Sequence, residues 1–187
     1  EYIPKLPQDA LAALAQQGYV SRAAQILSMF LDDYTIEELT KDCQAAYCPQ
    51  KFPGGAAPCV QIDDRLHVLE LWHGPTCAFK DMALQIMPRL LRRALDKTKE
   101  DRTAMILVAT SGDTGKAALE GYRDLEKIKI KVYYPVDGVS RVQKLQMATQ
   151  GGANVDVCAI RGNFDDAQSG VKRIFSDAAV AEELNRR

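Results

Sequence analysis

Hydrophobic and polar positions follow a helical period at the start of the chain. Apolar residues recur three and four positions apart, which predicts three short helices within residues 8–47. Gly18 is predicted to end the first helix. Thr35 and Glu38 have the spacing of a capping box, so they predict where the third helix begins. We expect this helical region to pack against or cover another domain.

Two short apolar segments follow a loop rich in proline and glycine. They predict strands at 59–62 and 67–72. A strong helical pattern comes next and predicts a helix that continues to about Lys97. Pro88 lies inside this helix and removes one backbone hydrogen bond, so we expect a kink between Leu84 and Pro88.

The pattern changes after residue 102, where short, mainly apolar runs alternate with helical segments, and the run at 104–109 is uninterrupted. The runs predict strands at 104–109, 128–134 and 155–160. The segments between and after them predict helices that end near Arg123, Thr149 and Leu184. Strand alternating with helix predicts a parallel sheet with right-handed crossovers.

The predicted fold class is therefore α/β, with a helical N-terminal region followed by an open, mainly parallel, three-layer α/β sheet. We predict three segments from these patterns. They are a helical region at 1–58, a middle part with the lysine helix at 59–101, and a small parallel α/β subdomain at 102–187.

Composition and charge narrow the classes of partner. The 187 residues are 47% hydrophobic and 26% charged, with a net charge of −1. Because the basic residues are spread out and matched by acidic ones, we expect no nucleic-acid partner. No apolar run approaches the roughly 18 residues that span a bilayer, so we expect no membrane partner.

The five cysteines do not have the spacing of a metal site or a disulfide framework. Their number is odd, no two form a C-x-x-C pair, and only His67 and His73 could join them as ligands. We expect no metal and a reduced, cytoplasmic protein.

Lys80 is notable because it lies in the predicted first turn of a helix. Backbone N–H groups without partners make that end positive, which disfavours an ammonium and favours a neutral amine. A neutral amine is the form that attacks a carbonyl carbon. The alternative is a surface lysine whose methylene stem packs on apolar groups while its amine reaches water.

Three loops follow the predicted parallel strands, at 110–116, 135–141 and 161–166. Ligands of open parallel sheets bind beyond the carboxyl ends of the strands. The first loop offers hydroxyl groups, free N–H groups and two glycines for a carboxylate or phosphate, with a basic residue after them: Ser111, Gly112, Asp113, Thr114, Gly115 and Lys116. It matches neither the Walker nor the dinucleotide pattern. The alternative is an ordinary turn between strand and helix.

Asp113 does not suit an anion site by itself. Its carboxylate must face away from the anion, or accept a hydrogen bond from another group. Such a group could be a phenol or an imine.

Four segments together carry a resemblance to a known family: LWHGPTCAFKDMALQ, ATSGDTGKAALEGY, YPVDGVSRVQKLQM and CAIRGNFDDAQ. In their order and spacing, over about residues 66–170, the chain resembles the threonine synthases. The resemblance implies the tryptophan-synthase-β-like fold, called fold type II, and the cofactor pyridoxal 5′-phosphate (PLP). It also implies a lyase of threonine biosynthesis. That enzyme converts O-phospho-L-homoserine and water to L-threonine and phosphate by γ-elimination and β-addition.

The resemblance assigns roles to single residues. Lys80 matches the family's F-K-D motif, so it would bind PLP covalently and then move protons between the α and β carbons. The loop Ser111, Gly112, Asp113, Thr114 and Gly115 matches S-G-D-T-G. It would hold the substrate carboxylate, with Asp113 facing the ring oxygen of the cofactor.

Four further residues are predicted as contacts to the substrate phosphate from their position at the same sheet edge: Lys116, Ser140, Arg141 and Asn163. For two of them a structural alternative stays open. Arg141 would then be a solvated residue at a helix start, and Asn163 a helix cap.

Threonine synthases are much longer than 187 residues and contain a later glycine-rich loop that binds the PLP phosphate. The resemblance therefore implies an N-terminal fragment, whose partner is the missing C-terminal part of the same enzyme. We expect the isolated chain to bind PLP weakly and to be inactive. Two other interpretations stay open: a threonine-synthase-like phospho-lyase, and a non-catalytic module that binds an anion or a partner.

Overall fold

The computed structural model describes residues 3–185. The chain divides between Leu90 and Leu91 into two compact units. The three-part division at 58 and 101 stays a prediction, and its terminal residues 1, 2, 186 and 187 lie outside the described residues.

Three helices begin the first unit: α1 (Gln8–Ala15), α2 (Tyr19–Ser28) and α3 (Ile36–Ala46). Helix α3 starts at the predicted capping box, in which the Thr35 hydroxyl accepts the Glu38 N–H and the Glu38 carboxylate accepts the Thr35 N–H. The prediction for Gly18 is wrong. Its extended backbone precedes α2 as the N-cap, while Gln16 is the C-cap of α1. One buried core cluster of this unit contains Ala24, Leu39, Cys43, Ala46 and Ile86.

A hairpin and the lysine segment follow. Strands β1 (Cys59–Gln61) and β2 (His67–Leu69) pair antiparallel. The chain then enters α4 (Asp81–Leu84), forms a turn at 85–86, and continues as α5 (Met87–Lys97). The interruption lies in the predicted interval, because Pro88 has no N–H to donate to the Leu84 carbonyl. Because of this interruption, Lys80 is followed by only one helical turn, α4.

The second unit contains a three-stranded parallel sheet. Strands β3 (Ala104–Ala109), β4 (Ile128–Pro135) and β5 (Val155–Ile160) lie in the order β3-β4-β5. Helices α6 (Asp113–Tyr122), α7 (Arg141–Ala148) and α8 (Phe164–Ser176) each follow one strand. The predicted fold class, a helical region followed by an open α/β sheet, is confirmed. The core is formed mainly by α6 and β4, with Ala117, Ala118, Leu119, Tyr122, Ile128, Ile130 and Val132.

The last predicted helix is two helices. Helix α8 ends at Ser176, and α9 (Ala178–Asn185) begins after Asp177. Asp177 has an extended backbone, with φ −85° and ψ 110°, and its Oδ1 accepts the N–H groups of Ala179 and Val180. The prediction of one continuous helix is wrong, because the Asp177 side chain caps a new helix at this point.

Three further features concern membrane-spanning helices, metal sites and the cysteine thiols. None of the helices in residues 3–185 is both long enough and apolar enough to cross a membrane. The same residues contain no cluster of three or more His, Cys, Asp and Glu side chains suited to a metal ion. All five cysteines carry free thiols, and burial raises the pKa of Cys43 to about 11, which keeps this thiol protonated at neutral pH.

Candidate functional site

Lys80 lies on the turn that precedes α4, with αR backbone angles of φ −63° and ψ −21°. Its Nζ is 4.6 Å from the centroid of the Phe79 ring, and Phe79 is 56% exposed. Within residues 3–185 no carboxylate forms an ion pair with Lys80. The half-buried amine is therefore available to a reactant, which is the first requirement for a nucleophile.

The electrostatic argument from the sequence needs correction. It placed Lys80 in the first turn of a helix of about 18 residues, but α4 has four residues. One turn aligns few peptide dipoles and is marginally stable by itself. The positive end of a long helix therefore does not act on the Lys80 amine, and the group beside it is the Phe79 ring.

A buried carboxylate fixes the backbone around Lys80. Asp81 is 0% exposed, and it accepts hydrogen bonds from the Thr76 N–H at 2.9 Å and from the Thr76 hydroxyl at 2.8 Å. Gly74 lies so close to Asp81 that an added Cβ would overlap the carboxylate. These contacts tie the turn at Gly74 to the start of α4, so the two segments that flank Lys80 are held together.

A second cluster lies at the carboxyl end of β3, in the second unit. Thr110 is buried, and its hydroxyl oxygen accepts the N–H groups of Gly112 at 3.0 Å and Gly115 at 2.9 Å. The resulting turn gives Gly112 a φ of +146°, which favours glycine. The N–H groups of Asp113 and Thr114 open α6 and have no acceptor within the helix, so this end of α6 can bind an anion.

The structure gives Asp113 a specific partner. Its Oδ1 accepts a hydrogen bond from Gln143 Nε2 at 2.7 Å, and Gln143 Oε1 accepts the Ser140 N–H at 3.1 Å. The carboxylate is thus linked to the first turn of α7. Sequence reasoning missed Gln143 as a partner of Asp113, because 30 positions separate the two and no local pattern joins them.

Two of the predicted phosphate contacts are helix caps. The Ser140 hydroxyl accepts the Gln143 N–H at 3.2 Å and begins α7 with a capping box. Asn163 Oδ1 accepts the Asp166 N–H at 3.0 Å and begins α8. Asn163 is therefore a helix cap, which is the alternative that its sequence position left open. The carboxyl ends of the parallel strands β4 and β5 share one edge, so both caps follow that edge.

The two basic residues have different surroundings. Arg141 is the exposed first residue of α7. The amine of Lys116 donates to the side chain of Gln150, which also donates to Glu120 at 2.9 Å. Gln150 lies just beyond the carboxyl end of α7, whereas Arg141 lies at its start. The structure thus joins Asp113 to the start of α7 through Gln143 and directs Lys116 to the other end.

Sequence comparison relates the chain to threonine synthases. The threonine synthase of Pseudomonas aeruginosa is 37% identical over 181 residues, which are 95% of this chain and 37% of that protein. The threonine synthase of Escherichia coli (strain K12) is 34% identical over 176 residues, which are 94% of this chain and 39% of that protein. No protein-family model matches. The chain spans about two fifths of the length of these curated relatives.

Structural comparison gives the same result. A PLP-bound threonine synthase from Brucella melitensis superposes with a TM-score of 0.85 and 36% identity, covering 97% of this chain and 39% of that one. Threonine synthase from yeast gives a TM-score of 0.85 and 32% identity, covering 96% of this chain and 38% of that one. Over nearly its whole length, and over about two fifths of theirs, the chain is therefore similar to threonine synthases in sequence and in fold.

Proposed function

We propose that the protein to which this chain belongs converts O-phospho-L-homoserine and water to L-threonine and phosphate, with PLP as its cofactor. The observation that carries this proposal is Lys80, whose amine forms no ion pair within residues 3–185 and lies on a turn that Asp81 and Thr76 fix. An amine held in this way fits the aldehyde of PLP. The relationship to threonine synthases, one of them PLP-bound, supplies the rest of the support.

Lys80 would hold the cofactor through its ε-amine and later carry a proton on Nζ. When bound, PLP would supply an electron sink for the negative charge that develops on the substrate carbon. The exposed Phe79 ring lies beside Nζ and would attract the charged amine whenever it is protonated. Lys80 can therefore serve both as the attachment point and as the proton carrier.

The loop after β3 would bind the substrate carboxylate. The unsatisfied N–H groups at the start of α6 and the hydroxyls of Ser111 and Thr114 are donors of the type that a carboxylate needs. Gly112 and Gly115 allow the backbone to approach it closely. Asp113 is kept in one orientation by Gln143, and it would face the ring oxygen of the cofactor.

The substrate phosphate would be bound by Ser140, Arg141, Asn163 and Lys116. Arg141 has the guanidinium geometry that suits phosphate, and it lies at the positive start of α7. Lys116 would have to exchange its hydrogen bond with Gln150 for the phosphate. Ser140 and Asn163 would contribute to phosphate binding while keeping their roles as caps.

The lysine assignment is tested by trapping. The purified chain is incubated with PLP and reduced with borohydride, and the modified peptides are identified by mass spectrometry. We expect one dominant pyridoxyl adduct on Lys80, absent in Lys80→Ala and retained in Lys129→Ala, which removes an exposed lysine on β4. Equal labelling of Lys80 and Lys129 would contradict the assignment.

The reaction is tested on the complete enzyme. Threonine and phosphate formed from O-phosphohomoserine support the proposal, whereas a keto acid and ammonia would identify a phospho-lyase. We expect the 187 residues alone to bind PLP weakly and to release no threonine, so measurable threonine from them would contradict that expectation. The cytoplasmic location stays a prediction.

A further inference from the structure

Tyr47 connects the helical start of the chain to the lysine segment. It is the C-cap residue of α3, and its hydroxyl donates a hydrogen bond to the carbonyl of Met82 at 2.7 Å. Met82 lies two positions after Lys80, and both residues belong to the first unit. Tyr47, which lies 35 positions before Met82 in the sequence, is therefore bonded directly to the single turn that follows Lys80.

The Met82 carbonyl needs an outside donor because the helix stops. In a continuous helix it would accept the N–H of Ile86, but α4 ends at Leu84 and Ile86 lies in the interruption before α5. The Tyr47 hydroxyl supplies the missing donor. Lys51 adds a second bond at the same place, from its amine to Oε1 of Gln85.

The single turn depends on such outside bonds. Its internal hydrogen bonds are few, among them Leu84 N–H to the Lys80 carbonyl at 2.9 Å and Gln85 N–H to the Asp81 carbonyl at 3.0 Å. A helix of four residues is not stable by itself, since nucleation costs more than so few bonds return. The Lys80 carbonyl is itself an acceptor in this turn, so opening of α4 changes the backbone at Lys80.

Tyr47 is well held for this role. Its ring meets the Tyr19 ring edge-on with centroids 4.9 Å apart, and it packs against Phe52 at 5.7 Å. Burial, and next the nearby Tyr19, raise the pKa of the Tyr47 hydroxyl well above its usual value. The hydroxyl therefore stays protonated, and remains a donor, at neutral pH.

We propose that Tyr47 is a positioning residue for Lys80. Its hydroxyl closes the single turn of α4 at Met82, and this turn fixes the direction in which the Lys80 amine points. The proposal rests on the proposed function of Lys80 as the residue that holds PLP. Tyr47 itself does not touch the reacting atoms in this account.

Two tyrosine-to-phenylalanine variants form a matched test. Tyr47→Phe deletes the bond to Met82, whereas Tyr34→Phe deletes a similar bond to the Leu90 carbonyl at 2.9 Å, ten positions beyond Lys80. We label each purified chain with PLP and borohydride, and separately with formaldehyde and cyanoborohydride, and measure Lys80 adducts relative to Lys129 adducts. Formaldehyde is small and reports exposure of the amine, while PLP also reports its direction.

We expect Tyr47→Phe to lower the PLP ratio of Lys80 to Lys129 about fivefold, the effect of losing one neutral hydrogen bond. The formaldehyde ratio should stay unchanged, and Tyr34→Phe should change neither ratio. Lys51→Met, which removes the bond to Gln85, should act in the same direction as Tyr47→Phe. It replaces Tyr47→Phe if that variant does not fold.

Equal effects of Tyr47→Phe and Tyr34→Phe, or no effect of Tyr47→Phe, would overturn the proposal. A parallel change in both labelling ratios would also overturn it, because that pattern indicates a structural role only. If the wild-type chain shows no preference for Lys80 with PLP, the proposed function fails. Hydrogen exchange of the Leu84 and Gln85 amides then still tests the link, since Tyr47→Phe, but not Tyr34→Phe, should accelerate it about fivefold.

Discussion

At the scale of single residues, the two sequence neighbours of Lys80 make different interactions. Asp81 is fully buried, and an unpaired carboxylate there would cost several kcal/mol, so its two hydrogen bonds with Thr76 are needed for stability. These hydrogen bonds hold the Asp81 carboxylate against Thr76. Phe79, on the other side of Lys80, offers only the face of its ring. Lys80 is thus beside an acid in the sequence without being neutralised by it.

Gly112 provides a test of the loop after β3. Its φ of +146° is strained for any other residue, and a Cβ there would lie 2.5 Å from the Gln143 side chain, which binds Asp113. We expect Gly112→Ala to lower the free energy of unfolding by ~1–3 kcal/mol. The measurement is a urea titration followed by circular dichroism.

Gly151→Ala is the matched control for this substitution. Gly151 has nothing within 4 Å of an added Cβ, and its φ does not lie in the left-handed region. The control should change the free energy of unfolding by less than about 0.5 kcal/mol. Equal stability of the two alanine variants would show that the loop relaxes without strain.

At the scale of elements, local patterns predicted the strands well and the partners of loops poorly. The bounds of β3 and β5 agree with the predicted 104–109 and 155–160, because short, mainly apolar runs bounded by polar loops mark where each strand begins and ends. The end of α8 was missed. A helical pattern continues across Asp177, and the preference of its side chain for a cap overrides that pattern.

The candidate site shows the same division between local and distant contacts. The hydroxyls and glycines at 111–115 could be predicted from their order in the sequence. The bonds that orient the site could not: Gln143 to Asp113, Tyr47 to Met82 and Lys116 to Gln150 each join residues 30 or more positions apart. Such pairs are set by how the elements pack, which periodicity does not encode.

Asn163 tests whether a predicted ligand is needed by its helix. Its side chain satisfies the Asp166 N–H at the start of α8, so Asn163→Ala should lower the free energy of unfolding by about 1 kcal/mol. Asn163→Ser keeps a cap oxygen and should stay within a few tenths of a kcal/mol of the wild type. Urea midpoints of the three proteins decide this, and full stability of the alanine variant would remove the capping role.

At the scale of the whole molecule, each of the two units has its own buried core. The first unit buries residues of α2 and α3 with Ile86, and the second buries residues of α6 with alternate positions of β4. Each core is thus built from local elements that the sequence pattern identifies. Lys80 belongs to the first unit and the 111–115 loop to the second. Stability of both is therefore a condition for the proposed function.

Matched leucines test the two cores. Leu39 in α3 and Leu119 in α6 are 0% exposed, whereas Leu11 in α1 is 62% exposed and Leu145 in α7 is 53% exposed. Replacing a buried leucine by alanine removes apolar contacts and leaves a cavity, so Leu39→Ala and Leu119→Ala should each cost ~2–5 kcal/mol. Leu11→Ala and Leu145→Ala should each cost less than ~1 kcal/mol.

Each unit has a probe of its own for this comparison. Trp72, the only tryptophan, reports the first unit by fluorescence in urea, and hydrogen exchange of the β4 amides reports the second. A buried-to-exposed contrast at Leu39 and Leu11 but not at Leu119 and Leu145 would mean that the second core is loosely packed. Because the 111–115 loop begins from that core through Thr110 and Gly115, a loose core would also leave the proposed carboxylate site without a fixed backbone.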